Sequence, residues 1–267
     1  MEDTRFQFGK NWLSFLATID DLRIGHAAEK LSLLVGDIRG KSFLDVGCGS
    51  GIQSLAALRL GAARVHSFDY DSQSVECSRE LKLRFAPNSD WLIERGSALD
   101  ENYLRSLGLF DVVYSWGVLH HTGDMWKALD LITIPAKGLI ALALYNDQGL
   151  PSRFWRAFKR LYNQSSAPAR RAFELYAFFW LSGKGFLVHP RRSATMWREY
   201  HKQRGMSAWH DVIDWAGGYP FEVAKPDQVI VFFRSRQWQL ERVVIHHPRA
   251  CNEFVFIGPT TTANIRA

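Results

Sequence analysis

Between Lys41 and Tyr145 the spacing of apolar residues switches repeatedly between two and 3.6, so short extended runs alternate with helices. The extended runs are Lys41–Val46, Arg64–Phe68, Trp91–Arg95, Phe110–Ser115 and Leu139–Tyr145, and helical patterns fill Ile52–Leu60, Ser72–Phe85, Glu101–Leu107 and Met125–Ile132. Strands joined by crossover helices run parallel, and a parallel sheet needs helices on both faces. The class is therefore α/β, doubly wound. After Tyr145 the alternation stops, to resume with a helix at Asp227–Arg236 and strands at Leu240–His246 and Glu253–Ile257. The pattern predicts seven strands with an antiparallel last strand, two N-terminal helices over Asn11–Asp37, and a helical insertion between strands 5 and 6. Four parts follow: an N-terminal helical cap (1–40), a core (41–146), a basic and aromatic lid (147–226), and the final helix and strands (227–267).

The stretch Phe43-Leu44-Asp45-Val46-Gly47-Cys48-Gly49-Ser50-Gly51 ends the first strand and opens the first crossover helix. Glycines at alternate positions on such a turn let the backbone approach a ligand, and the helix start offers free N–H groups and a positive dipole end. Asp69, at the end of the second strand, is placed to accept hydrogen bonds from both hydroxyls of a ribose. Together these predict a nucleoside site. The dinucleotide fingerprint needs a glycine at position 52, where Ile52 stands, which counts against a nicotinamide cofactor.

Leu44–Gly51, Asp69, Gly96-Ser97-Ala98 and Phe110–His121 resemble, in order, the motifs of class I S-adenosylmethionine-dependent methyltransferases, whose fold is Rossmann-like. The resemblance covers residues 40–146 and the last helix and strand pair. It implies S-adenosyl-L-methionine as cofactor and S-adenosyl-L-homocysteine as product. By the same resemblance Gly47, Gly49 and Gly51 hold the methionine part, Asp45 approaches its amino group and Asp69 binds ribose. Tyr70 lies along the adenine, and Ser97 and Ala98 meet its edge. The acid often found in the third motif is replaced by Ser97, with Asp100 nearby as a substitute. Cys48 is expected to pack, not to react.

Ligands in such sheets bind at the carboxyl ends of the strands. The fourth strand delivers Trp116, His120 and His121 there, with Trp116 counted among the cofactor contacts and the two histidines as candidate catalytic residues. An imidazole titrates near neutrality and can take a proton from an acceptor hydroxyl or ammonium. Tyr145 and Asn146 end the fifth strand, and an antiparallel last strand brings His246, His247, Arg249, Asn252 and Glu253 to the same rim. Tyr145, Asn146, Asn252 and His210, the last beside Asp211 and Asp214, are the candidate acceptor-binding residues. The aromatic run Phe6–Trp12 is a candidate cover for the cofactor. No metal is expected, because His, Cys, Asp and Glu lack ligand spacing.

The charge is unevenly placed. Residues 151–204 hold twelve Lys/Arg against Glu174 and Glu199, while the rest of the chain is slightly acidic. Arg153, Arg156 and Arg160 share one helical face, Phe154, Phe158, Leu161 and Tyr162 another, with Trp155 between them. The insertion is expected to lie on its own protein, to line an electropositive pocket, or to meet anionic lipid heads, with the aromatic run Phe173–Trp180 suiting a lipid-like acceptor. The fourth motif, Ser115-Trp116-Gly117-Val118, lacks the Asn-Pro-Pro-aromatic signature of enzymes that methylate nucleic-acid amines, and nucleic acid is disfavoured as partner. No apolar run reaches 18 residues, the N-terminus lacks a signal pattern, and Cys48, Cys77 and Cys251 form no C-x-x-C pair. A cytoplasmic address is expected.

The leading expectation is methyl transfer to oxygen or nitrogen of a small, possibly acidic or lipid-like organic acceptor. The alternatives are an RNA or protein methyltransferase docking through the basic insertion, and a cofactor-binding regulatory protein without turnover. Oligomeric state is open.

Overall fold

The computed structural model describes residue 16 and residues 19–195, 197, 208–246 and 250–259. In chain order the elements are α1 (Asp21–Val35), β1 (Ser42–Val46), α2 (Ile52–Arg59), β2 (Arg64–Asp69), α3 (Ser72–Phe85), β3 (Trp91–Arg95), α4 (Glu101–Ser106), β4 (Phe110–Trp116), α5 (Met125–Leu131) and β5 (Ala136–Tyr145). The insertion follows with α6 (Leu150–Gln164), α7 (Ala167–Phe178), a π-helical turn (Phe179–Gly183), α8 (Lys184–Val188) and α9 (Ala208–Gly217). The chain then returns through α10 (Pro226–Arg234), β6 (Gln239–Val244) and β7 (Cys251–Ile257).

The seven strands lie in the order β3-β2-β1-β4-β5-β7-β6. Pairs from β3 through β5 are parallel, and β7 runs antiparallel between β5 and β6. The expected sheet, its antiparallel last strand and the insertion between strands 5 and 6 are all present. Chain direction across the sheet reverses between β1 and β4, which opens a crevice at their carboxyl ends.

Two cores flank the sheet. One joins α1, α2 and α3 through Leu31, Leu55 and Leu81 to Phe43 and Val112. The other joins α4, α5 and α10 through Leu104, Leu129 and Phe233 to Leu44, Leu142 and Phe256. The insertion has a third, aromatic core of Trp155, Phe158, Tyr162, Ala177, Val212 and Ala216, which rests on neither face of the sheet.

Of the two N-terminal helices expected, the described residues contain α1, which starts after Asp20, whose side chain takes the Arg23 N–H at 2.9 Å. The aromatic run Phe6–Trp12 lies outside the described residues, as do His247 and Arg249. The inward stripe of α6 differs from the one expected. Ser152, Trp155, Phe158, Lys159 and Tyr162 are buried, whereas Phe154 and Leu161 face solvent. The large Trp155 ring packs between Trp180 and Trp215, with centroids at 4.5 and 4.3 Å, and this rotates the helix so that a lysine turns inward.

Candidate active site

Aspartates cap three of the helices that begin at the carboxyl edge. Asp71 accepts from Gln73 N–H at 2.9 Å, Asp100 from Tyr103 N–H at 3.0 Å, and Asp124 from Lys127 N–H at 3.3 Å. Asp100 is thus committed to starting α4. Helix α2 differs: Gly51 stands at its N-cap and no side chain takes its first N–H groups.

The turn before α2 needs its glycines. Gly47, Gly49 and Gly51 have φ of 79°, 53° and 78°, the left-handed region that side chains disfavour. A Cβ on Gly47 would stand 2.3 Å from Val118 Cγ1, so the β1 turn and the loop after β4 touch where the sheet reverses. Gly47→Ala is expected to cost about 2–4 kcal/mol of stability from overpacking and backbone strain. Gly108→Ala is the comparison, since Gly108 shares the positive φ but faces open space, and it should cost about 1 kcal/mol. Urea denaturation of both variants checks the difference.

Asp69 closes the other side of this turn. One carboxylate oxygen accepts the Gly49 N–H at 2.9 Å and the other the Asp71 N–H at 2.9 Å. The acid therefore fixes the glycine turn as well as standing at the tip of β2. Burial pushes its carboxyl up to about 6, against the pull of these backbone bonds. Asp45 is fully buried beneath the turn, and its carboxyl is pushed up to about 7 by burial although the Ser54 hydroxyl donates to it at 2.5 Å. Ser54 also meets Ser67 at 2.7 Å, and Ser67 receives the Trp91 indole N–H at 2.7 Å. Two acids raised by burial, with an uncapped helix start between them, suit a ligand carrying positive charge and hydroxyls. The residues present thus fit the methionine and ribose ends of S-adenosylmethionine.

The remaining predicted contacts vary in placement. Tyr70 is 47% exposed, with the Arg95 guanidinium 5.6 Å from its ring centroid and the Arg95 Nε–H donated to its carbonyl. Ser97 shapes its own turn by accepting the Leu99 N–H at 3.2 Å, and Ala98 is buried in the core beside α4 and α5. Trp116 is 45% exposed at the end of β4, and its indole N–H donates to Glu253 at 3.1 Å. Cys48 is buried against Ser78, with burial holding its thiol well above the usual range.

His120 and His121 occupy a helical turn (Leu119–His121) directly after β4. His121 Nδ1–H donates to the Pro220 carbonyl at 2.7 Å, which leaves the lone pair of the neutral ring at Nε2. Burial, the largest influence, holds its pKa down at about 4. His120 is fully enclosed between His121 and Tyr145, with ring centroids at 4.4 and 4.1 Å, and neither of its ring nitrogens has a hydrogen-bond partner. Burial likewise lowers its pKa well below the usual range. Both imidazoles are therefore neutral at pH 7, because burial penalises the charged ring.

Asn146 pairs with Ala224 at the end of β5. Asn252 lies in register with Leu144, on the face packed by α4, α5 and α10, where its buried side-chain oxygen takes the His246 N–H at 3.1 Å. It ties the β6–β7 connection, and Glu253, one residue on, is the one that reaches Trp116. His210 belongs to α9, while its side chain lies outside the described residues.

Several residues at this edge were not anticipated. The segment Pro220–Ala224 straps the insertion onto the sheet: Glu222 N–H donates to the His120 carbonyl at 2.9 Å, and the Glu222 carboxylate accepts from Gly123 and Met125 N–H at 3.1 and 3.0 Å. Arg156 Nε–H donates to the Phe221 carbonyl at 3.0 Å. Lys159 is buried, donates to the Trp215 carbonyl and stands 4.4 and 5.1 Å from the Trp215 and Phe221 ring centroids. Burial lowers its pKa to about 7, with Asp214 pulling the other way. Only the strap's glycine and proline neighbours, Gly217-Gly218 and Pro220, are visible as signals in the sequence. Among the described residues no three His, Cys, Asp or Glu side chains gather as a metal site, and no helix is long and apolar enough to cross a membrane.

A family model for ribosomal protein L11 methyltransferase matches residues 27–87, the segment from α1 through α3 that contains the glycine turn and Asp69. The ribosomal protein L11 methyltransferase of Tolumonas auensis is 54% identical over 48 residues, which are 18% of this chain and 16% of that protein. That of Yersinia pestis is 52% identical over the same length. The chain thus spans about one sixth of the curated relatives it matches. Among solved structures, magnesium protoporphyrin IX methyltransferase from Synechocystis with bound SAH aligns over 90% of this chain and 88% of that one, with a TM-score of 0.53 and 14% identity. PKMT2 from Rickettsia typhi, in complex with AdoHcy, aligns over 88% of this chain and 53% of that one, with a TM-score of 0.59 and 14% identity.

These matches correct the partner expected from the sequence. The curated relatives are named for a protein acceptor, ribosomal protein L11, so neither the small-molecule acceptor nor the disfavouring of macromolecules such as nucleic acid stands. The glycine turn and sugar-side acid carry no information about the acceptor, which is where the sequence reading overreached. The fold is thus the one these methyltransferase structures share, and the segment holding the glycine turn and Asp69 is similar to the ribosomal protein L11 methyltransferases.

Proposed function

We propose that this protein transfers a methyl group from S-adenosylmethionine to a nitrogen or oxygen atom of a protein acceptor. The observation that supports the cofactor half of this reading is the Asp69 carboxylate bridging Gly49 N–H and Asp71 N–H beside an uncapped helix start, and the protein acceptor is suggested by the likeness of residues 27–87 to ribosomal protein L11 methyltransferases. When bound, the cofactor supplies a methyl carbon on a positively charged sulfur. Asp69 orients the ribose hydroxyls, the three glycines admit the methionine end, and Asp45 offers negative charge toward its amino group. Tyr70 covers one face of the adenine, with Ser97 and Ala98 at its edge, and Trp116, pinned by Glu253, bounds the methyl side.

His121, Tyr145 and Asn146 face the acceptor in this reading. Displacement at a methyl carbon requires chiefly that the acceptor atom be held in line about 3–3.5 Å away in a dry site. His120, with no exposed surface, stands behind His121 and Tyr145 and supports them by packing. The neutral His121 ring, oriented by the Pro220 carbonyl, shapes the acceptor side without carrying charge. The insertion and its strap exclude water above these residues.

The test combines calorimetry with label transfer. S-adenosylmethionine is expected to bind, and its tritiated methyl group is expected to enter acid-precipitable protein in a bacterial lysate freed of small molecules. Cofactor binding with label entering only RNA, or no macromolecule at all, would overturn the protein acceptor while leaving the cofactor site standing.

A further inference from the structure

Outside the candidate active site, the structure holds a cleft of 480 Å³ between α5, the start of α6 and the start of α10. Its wall at α6 is basic. Arg153 is exposed and its guanidinium has no partner among the described residues, while Arg156 is steadied through Nε by the Phe221 carbonyl at 3.0 Å. The first turn of α6 borders the same space, beginning at Leu150 without a side-chain cap. The opposite wall carries the Trp126 ring, packed 5.2 Å from Phe232, and on the α6 side Leu150, which is 75% exposed, adds apolar surface.

Two acids stand nearby and both are engaged. Asp147 lines the cleft but accepts the Gly149 N–H at 2.8 Å, and the Glu222 carboxylate is turned toward Gly123 and Met125 N–H. Glu222 also feels the charge of Arg156, so Arg153 is the cleft's cation left without a partner among the described residues, beside an apolar shelf. Ser152 lines this cleft and also a narrow slot formed by Tyr145, Asn146, Trp155, Trp215 and Phe221, so the cleft adjoins the end of β5.

We propose that this cleft is an exosite that seats an acidic residue and an adjacent apolar residue of the acceptor protein, the carboxylate on Arg153 and the apolar neighbour on Trp126 and Leu150. Guanidinium groups bind carboxylates through paired N–H donors, and an aromatic shelf adds specificity through contact area. A peptide side chain fits the volume of the cleft. The proposal rests on the reading that the acceptor is a protein, and it names the feature of that acceptor that is recognised at a distance from the methylated atom.

The test uses the full chain without cofactor and a fluorescein-labelled twelve-residue peptide of alternating Glu and Leu, with its Gln counterpart as control. The acidic peptide is expected to bind, the Gln peptide about tenfold or more weaker, and Arg153→Glu to reduce acidic-peptide binding about tenfold or more. Arg160→Glu makes the same charge change on the same helix away from the cleft lining and should leave binding within about twofold. Equal losses in the two variants, equal binding of the two peptides, or tighter binding of a labelled twelve-nucleotide RNA lost with Arg153→Glu would each overturn the exosite. Cofactor affinity is measured in parallel, so that a failed exosite with intact cofactor binding is distinguished from failure of methyl transfer itself.

Discussion

Asp69→Asn is expected to weaken S-adenosylmethionine binding by about 100-fold or more, because two charge-assisted bonds to ribose are lost or weakened together. The carboxylate does two jobs at once, holding Gly49 N–H and Asp71 N–H while facing the ligand. An asparagine keeps one oxygen for one of those N–H groups and turns a donor toward the other. The variant should nevertheless stay folded. Because the Asp69 carboxyl is held at about 6 in the folded chain, it retains its proton to higher pH than in the unfolded chain. Stability therefore falls as pH rises from about 4 to 6, and the asparagine removes this fall. Calorimetry with cofactor at pH 7.5, alongside thermal unfolding at pH 5 and 8, separates the two effects. Unchanged affinity in a folded variant would remove Asp69 from the ribose site.

Lys159→Met should stabilise the protein, and by an amount that depends on pH in a defined direction. The amine is fully buried and its pKa is lowered to about 7, so below that pH the folded chain carries a charge among Trp215, Phe221 and the two neutral histidines. Above about 7 the folded chain sheds the proton while the unfolded chain keeps it, and wild-type stability rises until about pH 10.4. The methionine removes the penalty altogether. Its gain should be about 3–4 kcal/mol at pH 6 and shrink toward zero by pH 10, less the Trp215 carbonyl left without its donor. Urea denaturation at pH 6 and 9.5 measures it. A gain independent of pH would place the ammonium in a site that already compensates its charge.

The cofactor side of this site was legible in the sequence because its chemistry is local. Gly47, Gly49 and Gly51 share one turn, and Asp69 closes the next strand, so strand periodicity alone brings them to one edge. The edge that the proposal gives to the acceptor is built from contacts that no period announces. Glu222 reaches Gly123 and Met125 across nearly a hundred residues, and Lys159 reaches Trp215 from another helix of the insertion. Asn252 illustrates a different failure. Its place on β7 was foreseen, but side chains alternate along a strand, and it is Glu253 that reaches Trp116. The burial of Lys159 among Trp155, Phe158 and Tyr162 is not legible because hydropathy assigns all cations outward. The Trp155 ring overrides that rule by deciding which face of α6 turns in.

The strand-like pairing of Asn146 with Ala224, reinforced by Asp147 N–H to the Ala224 carbonyl and Ala224 N–H to the Tyr145 carbonyl, holds the departure and the return of the insertion side by side. An excursion whose ends meet, and which carries its own aromatic core, places little demand on the sheet for its length or content. Such a body behaves as a cassette. Deleting or exchanging it at that junction should leave β5, β7 and the glycine turn in register, so that new acceptor preferences can be grafted onto an unaltered methyl-donor platform.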